Sequence, residues 1–327
     1  MTICLVYEIN YFRICFLTLS YFFAHKKFLS EVFAPLGGFR SVSTALESLV
    51  KDLGVKIQHG VTVTAVESNG VHVCSTSSDG NGSEQERDFI PADLIIVNAD
   101  LPYATKSLLP HASNNIPNNP ISDSKTEKLS TPRFDWDDSF DFSSGVISFH
   151  WSVDKVLGDL NTHNVFMVAG SRSRAESSWC VLRSCSKEND KEQDNSLDSP
   201  FNFYVHRASK TDPKAAPNGC DSIMVLVPCK TLLREKECAQ LPRQQAIERY
   251  KEQFNDEAVS QTREAVLKRL AAIGSLKDLR NHILDEVVDT PATYADQYNL
   301  AAGTPFALVR CTFCRFRWLS NSKFCCC

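Results

Sequence analysis

The chain has 327 residues, of which 43% are hydrophobic and 23% are charged. These proportions exclude a disordered or collagen-like chain, and the length is enough for two compact units with separate cores. Its 35 Lys and Arg residues are balanced by 39 Asp and Glu residues, giving a formal net charge of -4. Because this charge provides no positive field for a polyanion, we expect no nucleic-acid partner.

Residues 1–32 form an atypical N-terminal segment. Apolar residues dominate from Met1 to Phe23, but Glu8 and Arg13 interrupt them, and Ile14–Ala24 is the longest part without a charge. A membrane-spanning helix needs about 20 apolar residues, so we predict none here. Two alternatives are a targeting segment and a stretch that is not native coding sequence.

The other atypical segment is the tail, residues 307–327. It carries five of the 13 cysteines, namely Cys311, Cys314, Cys325, Cys326 and Cys327. A Cys-x-x-Cys pair is half of a zinc site, but no His lies nearby, so we predict no metal there. The remaining cysteines have no regular spacing and are interpreted as reduced thiols.

A helix is predicted after the turn Pro35-Leu36-Gly37-Gly38. Its apolar residues recur at helical spacing on one face: Val42, Ala45, Leu46, Leu49, Val50 and Leu53. Ser41 is the predicted N-cap, and Gly54 is placed for a left-handed C-cap. We expect the apolar face to pack against another part of the protein.

A β-hairpin and a buried strand follow. Val61–Val66 and Val71–Cys74 flank Asn69-Gly70, a dipeptide typical of hairpin turns with positive φ at both central positions. Leu94–Val97 is a continuous apolar run, which predicts a strand buried on both faces of a parallel sheet. It ends in Asn98-Ala99-Asp100, at the edge where open α/β sheets bind ligands, although a simple turn is the alternative.

Residues 111–142 read as a linker or long surface loop, and a second unit follows at residues 143–306. Its predicted strands are Gly145–Trp151, Asn164–Val168, Phe201–Val205, Ser222–Val227 and Ile283–Val288, and its predicted helices are Arg243–Phe254 and Thr262–Ala272. The fold class is therefore α/β in the first unit with a mixed α+β second unit. Since no Gly-x-Gly-x-x-Gly, Gly-x-Ser-x-Gly, P-loop or His-Glu-x-x-His motif occurs, these features alone do not specify a reaction.

Short blocks in a fixed order nevertheless resemble the phytoene desaturases of bacteria and fungi. The blocks are Phe33–Phe39, the helix, Val61–Val66, Ala92–Tyr103, Ile147–Asp154, Thr162–Phe166, Phe203–Pro213, Ala215–Asp221, Val225–Pro228, Thr290-Pro291 and Asn299–Gly303. The resemblance implies an FAD-dependent enzyme related to the amine oxidases, which takes hydride from a polyene precursor. Residues 33–110 would then be part of a Rossmann-like FAD/NAD(P)-binding domain, and residues 143–306 would be the substrate domain. The similar carotenoid isomerases are an alternative.

The resemblance also implies functional residues. On the flavin side they are Gly37, Gly38, Val63, Asn98, Ala99 and Asp100, although the glycines can serve only the turn and Val63 only the core. On the substrate side they are Phe149, His150, Trp151, Phe203, Tyr204 and Arg207, with the core as the alternative for the aromatic residues. The leaving proton is expected to meet one of His150, Arg207, Lys210 and Asp212.

The sequence departs from the family at both ends, because the glycine-rich fingerprint that holds the FAD diphosphate and the closing glycine-rich segment are missing. We therefore expect either a fragment or faulty gene version of the enzyme, or a non-catalytic remnant that binds lipid or docks on an intact partner. The expected partners are a carotene and a membrane surface, with peripheral attachment, and a plastid location if the source is an alga.

Overall fold

The computed structural model describes residues 3–6, 34–75, 87–109, 141–172, 178, 201–232, 241, 243–305 and 308–309. The chain divides into unit 1, drawn from residues 1–9, 51–141 and 309–326, and unit 2, drawn from residues 10–50 and 142–308. Residues 34–50 therefore cluster with the second unit, whereas the sequence assigned them to the first domain. Residues 111–140 of the predicted linker, the loop at 76–86 and residues 310–327 of the tail lie outside the described residues.

The described elements include both helices and strands, in agreement with the mixed α/β prediction. In chain order they are β1 (Ile3–Val6), α1 (Phe39–Asp52), β2 (Val61–Glu67), β3 (Gly70–Ser75), β4 (Arg87–Pro91), β5 (Leu94–Val97), the short α2 (Leu101–Tyr103), β6 (Asp141–Phe142), β7 (Gly145–Val153), β8 (His163–Phe166), β9 (Phe203–Arg207), β10 (Asp221–Cys229), α3 (Arg243–Gln253), α4 (Asp256–Leu270), β11 (Ile283–Asp289), α5 (Pro291–Tyr298) and β12 (Leu308–Val309). None of the described helices combines the length and the apolar character needed to cross a membrane.

Helix α1 forms where its spacing predicted it. Gly37 and Gly38 both have positive φ, and the N–H of Gly38 closes the turn on the carbonyl of Pro35 at 3.0 Å. Gly54 has φ of 82°, as a left-handed cap requires. Two predictions are wrong. Ser41 is inside the helix and bonds the Gly38 carbonyl, and the apolar face is unpacked, since no residue of α1 is buried.

Unit 1 contains the predicted hairpin within the three-stranded antiparallel sheet β2-β3-β4. Glu67 pairs with Gly70, so the turn residues are Ser68 and Asn69, and the structure assigns positive φ to neither Asn69 nor Gly70. The predicted turn geometry is therefore wrong. Glycine is required at position 70 for space, because an added Cβ would lie 2.5 Å from the carbonyl oxygen of Ile90.

Strand β5 pairs in parallel with β1, with Leu94 opposite Ile3 and Val97 opposite Val6. The strand is thus correctly predicted, but its burial is not. Exposed and half-buried residues alternate along it, and Leu94 and Ile96 are exposed. A continuous apolar run shows only that both faces are suited to burial, whereas covering both requires two further layers.

Unit 2 is built on a five-stranded antiparallel sheet in the order β11-β7-β10-β9-β8. One side, which we call the core face, is buried and consists of Ile147, Phe149, Trp151, Val153, Phe203, Val205, Ile223, Val225, Val227 and Cys229. Ile247 and Tyr250 of α3 and Val266, Leu267 and Leu270 of α4 pack in the same cluster. Burial of each large side chain contributes about 1.5–3 kcal/mol, so this layer holds the unit together.

A buried ion pair joins the ends of β9 and β10. The Nε atom of Arg207 lies 2.9 Å from Asp221 Oδ2, and both side chains are almost fully buried. Arg207 also donates to the carbonyls of Leu157 and Leu160, at 2.8 and 3.0 Å, while the N–H of Leu157 donates to Asp221 at 2.6 Å. The pair therefore fixes the loop after β7, and Arg207 has a structural position rather than a substrate-facing one.

Asp221→Ala should lower the free energy of unfolding by about 3–5 kcal/mol, because it leaves the Arg207 charge buried without its partner. Chemical denaturation measures this difference. Glu248→Ala is the matched control, since it removes the exposed partner of Lys251 and should change stability by less than about 1 kcal/mol. Equal effects of the two substitutions would contradict the structural role of the pair.

A second charge cluster joins the end of β7 to the start of β11. His282 Nδ1 lies 2.8 Å from Asp154 and its Nε2 lies 3.1 Å from Asp278, so both ring nitrogens must carry protons to donate. The bond to Asp154 and then the bond to Asp278 raise the pKa of His282. Donation from Lys155, followed by that from His282, lowers the pKa of Asp278 to about 2.

Protonation of His282 should therefore stabilise the fold. A raised folded-state pKa gives stabilisation that is complete below the unfolded-state value of about 6.5 and is lost as pH rises through the folded-state value. His282→Gln should consequently cost more stability at about pH 5.5 than at about pH 8.5. Denaturation at the two pH values tests this, with NMR titration of the His282 ring alongside. A cost independent of pH would refute it.

Candidate active site

The side of the unit 2 sheet opposite the core face carries accessible polar side chains. We call it the open face. Strand register sets its residues in two rows across five strands: Val287, His150, Met224, His206 and His163, and then Asp289, Ser148, Leu226, Tyr204 and Val165. Since neighbours along a strand point to opposite faces, these residues alternate with those of the core face.

Helix α5 covers one end of the open face. A capping box between Thr290 and Thr293 begins it, and Asn299, with φ of 51°, ends it. Tyr294 of this helix packs in a small apolar cluster with Val146 and Leu300. The helix thereby buries Ser148, while Val287 and Val165 at the two sheet edges remain more than half exposed.

A polar network lies under this helix. Ser148 Oγ is 3.0 Å from the hydroxyl of Tyr294 and 3.2 Å from Nε2 of His150. Asp289 Oδ2 lies 3.5 Å from the same Nε2. Burial, together with the nearby charge of Asp289, raises the pKa of Tyr294, so this phenol keeps its proton.

The network orients the imidazole of His150. Both of its partners, Ser148 and Asp289, lie on the Nε2 side, which favours a proton at Nε2 and a lone pair at Nδ1. Nδ1 has no hydrogen-bond partner in the described part of the chain, and 39% of the side chain is exposed. His150 is thus arranged to accept a proton on the open face, with Asp289 close enough to stabilise the resulting cation.

The structure separates the predicted substrate residues. His150 and Tyr204 lie on the open face, and Tyr204 contacts His163. Phe149, Trp151 and Phe203 lie on the core face with at most 1% of their surface exposed, so they have core contacts in this structure, and their substrate-side role stays a prediction.

Ser148, Asp289 and Tyr294 were not among the site residues predicted from the sequence. The signal for Ser148 was present in the sequence, because period-two alternation groups Ser148 with His150 rather than with Phe149. No such local pattern groups Asp289 or Tyr294 with His150, since they belong to β11 and α5.

The predicted flavin-side residues fall in both units. In unit 1, Ala99 is buried in a cluster with Val66, Val71 and Tyr103, and Val63 packs against it. Asp100 caps the short helix α2 by accepting from the N–H of Tyr103 at 3.3 Å, and Asn98 is exposed. In this structure Ala99 and Val63 have core contacts, and their assignment to a cofactor site stays a prediction.

In unit 2, the glycine turn is engaged by a carboxylate. The N–H of Gly37 donates to Oδ2 of Asp212 at 2.8 Å, and that bond, followed by one from the N–H of Lys214, lowers the pKa of Asp212. Gly38 has open space around it. A backbone N–H that would donate to a phosphate is therefore already satisfied by an anion. Together with the missing glycine fingerprint, this means that the described residues do not fit the diphosphate of FAD.

Comparison with known proteins identifies relatives along most of the chain. Phytoene desaturases from Fusarium fujikuroi and Neurospora crassa are 30% and 27% identical to it over 287 and 277 residues, covering 84% and 85% of this chain. All-trans-zeta-carotene desaturase from Myxococcus xanthus is 26% identical over 311 residues, covering 94% of this chain. The chain spans 42%, 40% and 50% of these proteins. No family model matches.

The chain is therefore related to oxidoreductases that act on carotenoids. It is similar in sequence to phytoene desaturases and to a zeta-carotene desaturase, which confirms the resemblance found in the sequence. Among solved structures, an oxidoreductase from Methanosarcina mazei aligns with a TM-score of 0.43 and 16% identity, over 84% of this chain and 48% of that one. This score is too low to support an inference.

We expect the 327-residue chain, purified alone, to retain no FAD and to leave phytoene unchanged. Without a diphosphate cradle, the cost of ordering a long flexible cofactor is poorly offset. Visible flavin absorbance of the purified protein tests this. Asp212→Ala, which frees the N–H of Gly37, should also purify without flavin. Near-stoichiometric flavin in the unaltered chain would show that another segment replaces the fingerprint.

Proposed function

We propose that this chain represents the substrate-side part of an FAD-dependent oxidoreductase of carotenoid biosynthesis, which desaturates phytoene or a related carotene by hydride transfer to flavin. The supporting observation is the similarity to named carotenoid desaturases along at least 84% of the chain. That similarity is long enough to include the strands that form the open face. Activity, substrate and cofactor are inferred from relatives that are at least twice as long as the aligned part.

The open face suits a long hydrocarbon. Met224 and Leu226 are half-buried at its centre, and Val165 and Val287 are exposed at its edges. Contact with an apolar chain would remove these side chains from water, which contributes roughly 25 cal/mol for each Å² covered. These apolar side chains lie beside the polar residues of the same face, so this face is the proposed carotene surface.

His150 supplies the polar chemistry of this surface. Flavin, when bound, supplies the acceptor for a hydride, and a desaturation must also release a proton from the neighbouring carbon. We assign that proton to Nδ1 of His150, which the network through Ser148 and Asp289 leaves as an acceptor. Ser148 and Asp289 then position the ring and stabilise its charge.

A non-catalytic protein that binds lipid is the second candidate, and the apolar side chains of the open face, Val165 and Val287 among them, are the observation that supports it. Such a protein would use the same open face to hold a hydrocarbon without changing it. Both candidates predict binding of carotene drawn from a membrane surface, and we propose peripheral attachment to that membrane. Turnover by a longer protein that joins this chain to a flavin-binding glycine-rich segment separates the two.

Charges on the open face should abolish carotene binding. We expect the purified chain, incubated with phytoene-loaded liposomes and re-isolated by gel filtration, to carry phytoene measurable by chromatography. The double substitution Val165→Asp, Val287→Asp should reduce the retained phytoene at least about tenfold, because it places carboxylates where a hydrocarbon would desolvate them.

Val156→Asp is the matched control. Val156 is as exposed as the two test positions, at 50% against 56% and 55%, but lies in the loop after β7. This variant should retain as much phytoene as the unaltered chain. Equal losses in the control and the double variant, or no binding by the unaltered chain, would refute the open face as the carotene surface.

A further inference from the structure

Two histidines face each other at the edge of the open face. His163 of β8 and His206 of β9 are direct cross-strand partners, with ring centroids 5.2 Å apart. The N–H of Arg207 donates to the carbonyl of Thr162 at 2.9 Å, which is the bond that flanks a non-hydrogen-bonded antiparallel pair. In such a pair the Cα atoms are about 4.5 Å apart and the side chains approach most closely.

The Nδ1 atom of each ring already has a partner. His206 Nδ1 lies 3.1 Å from the carbonyl oxygen of Thr162, so it must carry the proton and donate. His163 Nδ1 lies 2.5 Å from the hydroxyl of Tyr204, which can accept from it. Neither Nε2 atom has a hydrogen-bond or ion-pair partner within the described part of the chain.

This arrangement is that of metal-binding histidines. A ligating imidazole usually coordinates through one nitrogen while the other donates to a carbonyl or another oxygen, which fixes the ring and its tautomer. His72, His150 and His282 lack this feature, because their Nε2 atoms are bound to Glu67, Ser148 and Asp278, respectively. His163 and His206 differ in having both Nε2 atoms available on one surface.

We propose that His163 and His206 form a two-imidazole site for a divalent late transition-metal ion of the Zn²⁺ and Ni²⁺ class, with water completing the coordination. Imidazole nitrogen is a preferred ligand of these ions, and no chemistry beyond binding is involved. The site joins the edge strand β8 to β9, so occupancy stabilises that edge of the sheet. Tyr204 and Thr162 are positioning residues, because each fixes a ring through Nδ1.

The test uses the full chain, kept reduced, with isotope-labelled histidine and Ni²⁺ as the paramagnetic probe. The ring signals of His163 and His206 should broaden together at substoichiometric Ni²⁺, before those of the other histidines. Because broadening reports on distance from the ion, binding of Ni²⁺ at the cysteines of the tail does not mimic this result. Because the experiment contains no carotene, a negative result for Ni²⁺ binding does not bear on the proposed carotene-binding function.

Two variants make the result specific. His206→Gln should remove the broadening of His163 and weaken its Ni²⁺ binding at least about tenfold, since chelation by two ligands is lost. Tyr204→Phe, which preserves the ring packing, should weaken binding to a smaller extent. His72→Gln is the matched control and should leave the affinity unchanged. The inference is overturned if the two rings broaden independently, if only other residues respond, or if His206→Gln binds Ni²⁺ as the unaltered chain does.

Discussion

Burial of the core face of the unit 2 sheet determines which side chains are available for chemistry. Phe149 and Trp151 of β7 pack against the helices α3 and α4. Because side chains alternate along a strand, Ser148 and His150 lie on the open face. The register of β10 and β9 divides the residues of these strands between the two faces in the same way, so that Met224 and His206 lie beside His150 on the open face. A one-residue slip would exchange the two faces, so the hydrophobic layer that holds the unit together also positions its polar groups.

The elements of unit 2 were largely predictable from the sequence, because their information is local. The apolar and β-branched residues of Gly145–Trp151 and Ser222–Val227 indicate strands whatever they pack against. Burial was less predictable, since it depends on partners far away in the chain. The apolar face of α1 and the strand β5 therefore have the predicted secondary structure but not the predicted burial.

The predicted substrate-side residues divide between the two faces of the sheet for a related reason. Phe149 and Trp151 are alternately placed aromatic residues on one face of the strand, whereas His150 lies between them and therefore on the other face. His150 and Tyr204 have open-face positions, while Arg207 is held in a buried ion pair. The partners of His150 could not have been found from a motif, since Ser148, Asp289 and Tyr294 meet only through strand pairing and the docking of α5.

The alternation in β7 also has an evolutionary consequence. Residues two apart in the strand are under the same selective constraint, whereas immediate neighbours are under different ones. Phe149 is constrained by the stability of the core, and His150 is constrained by the molecule that contacts the open face. Homologues with different ligands should thus diverge at every second position of this strand and keep the positions between. A single short strand can in this way acquire a new specificity one residue at a time, without passing through an unfolded ancestor.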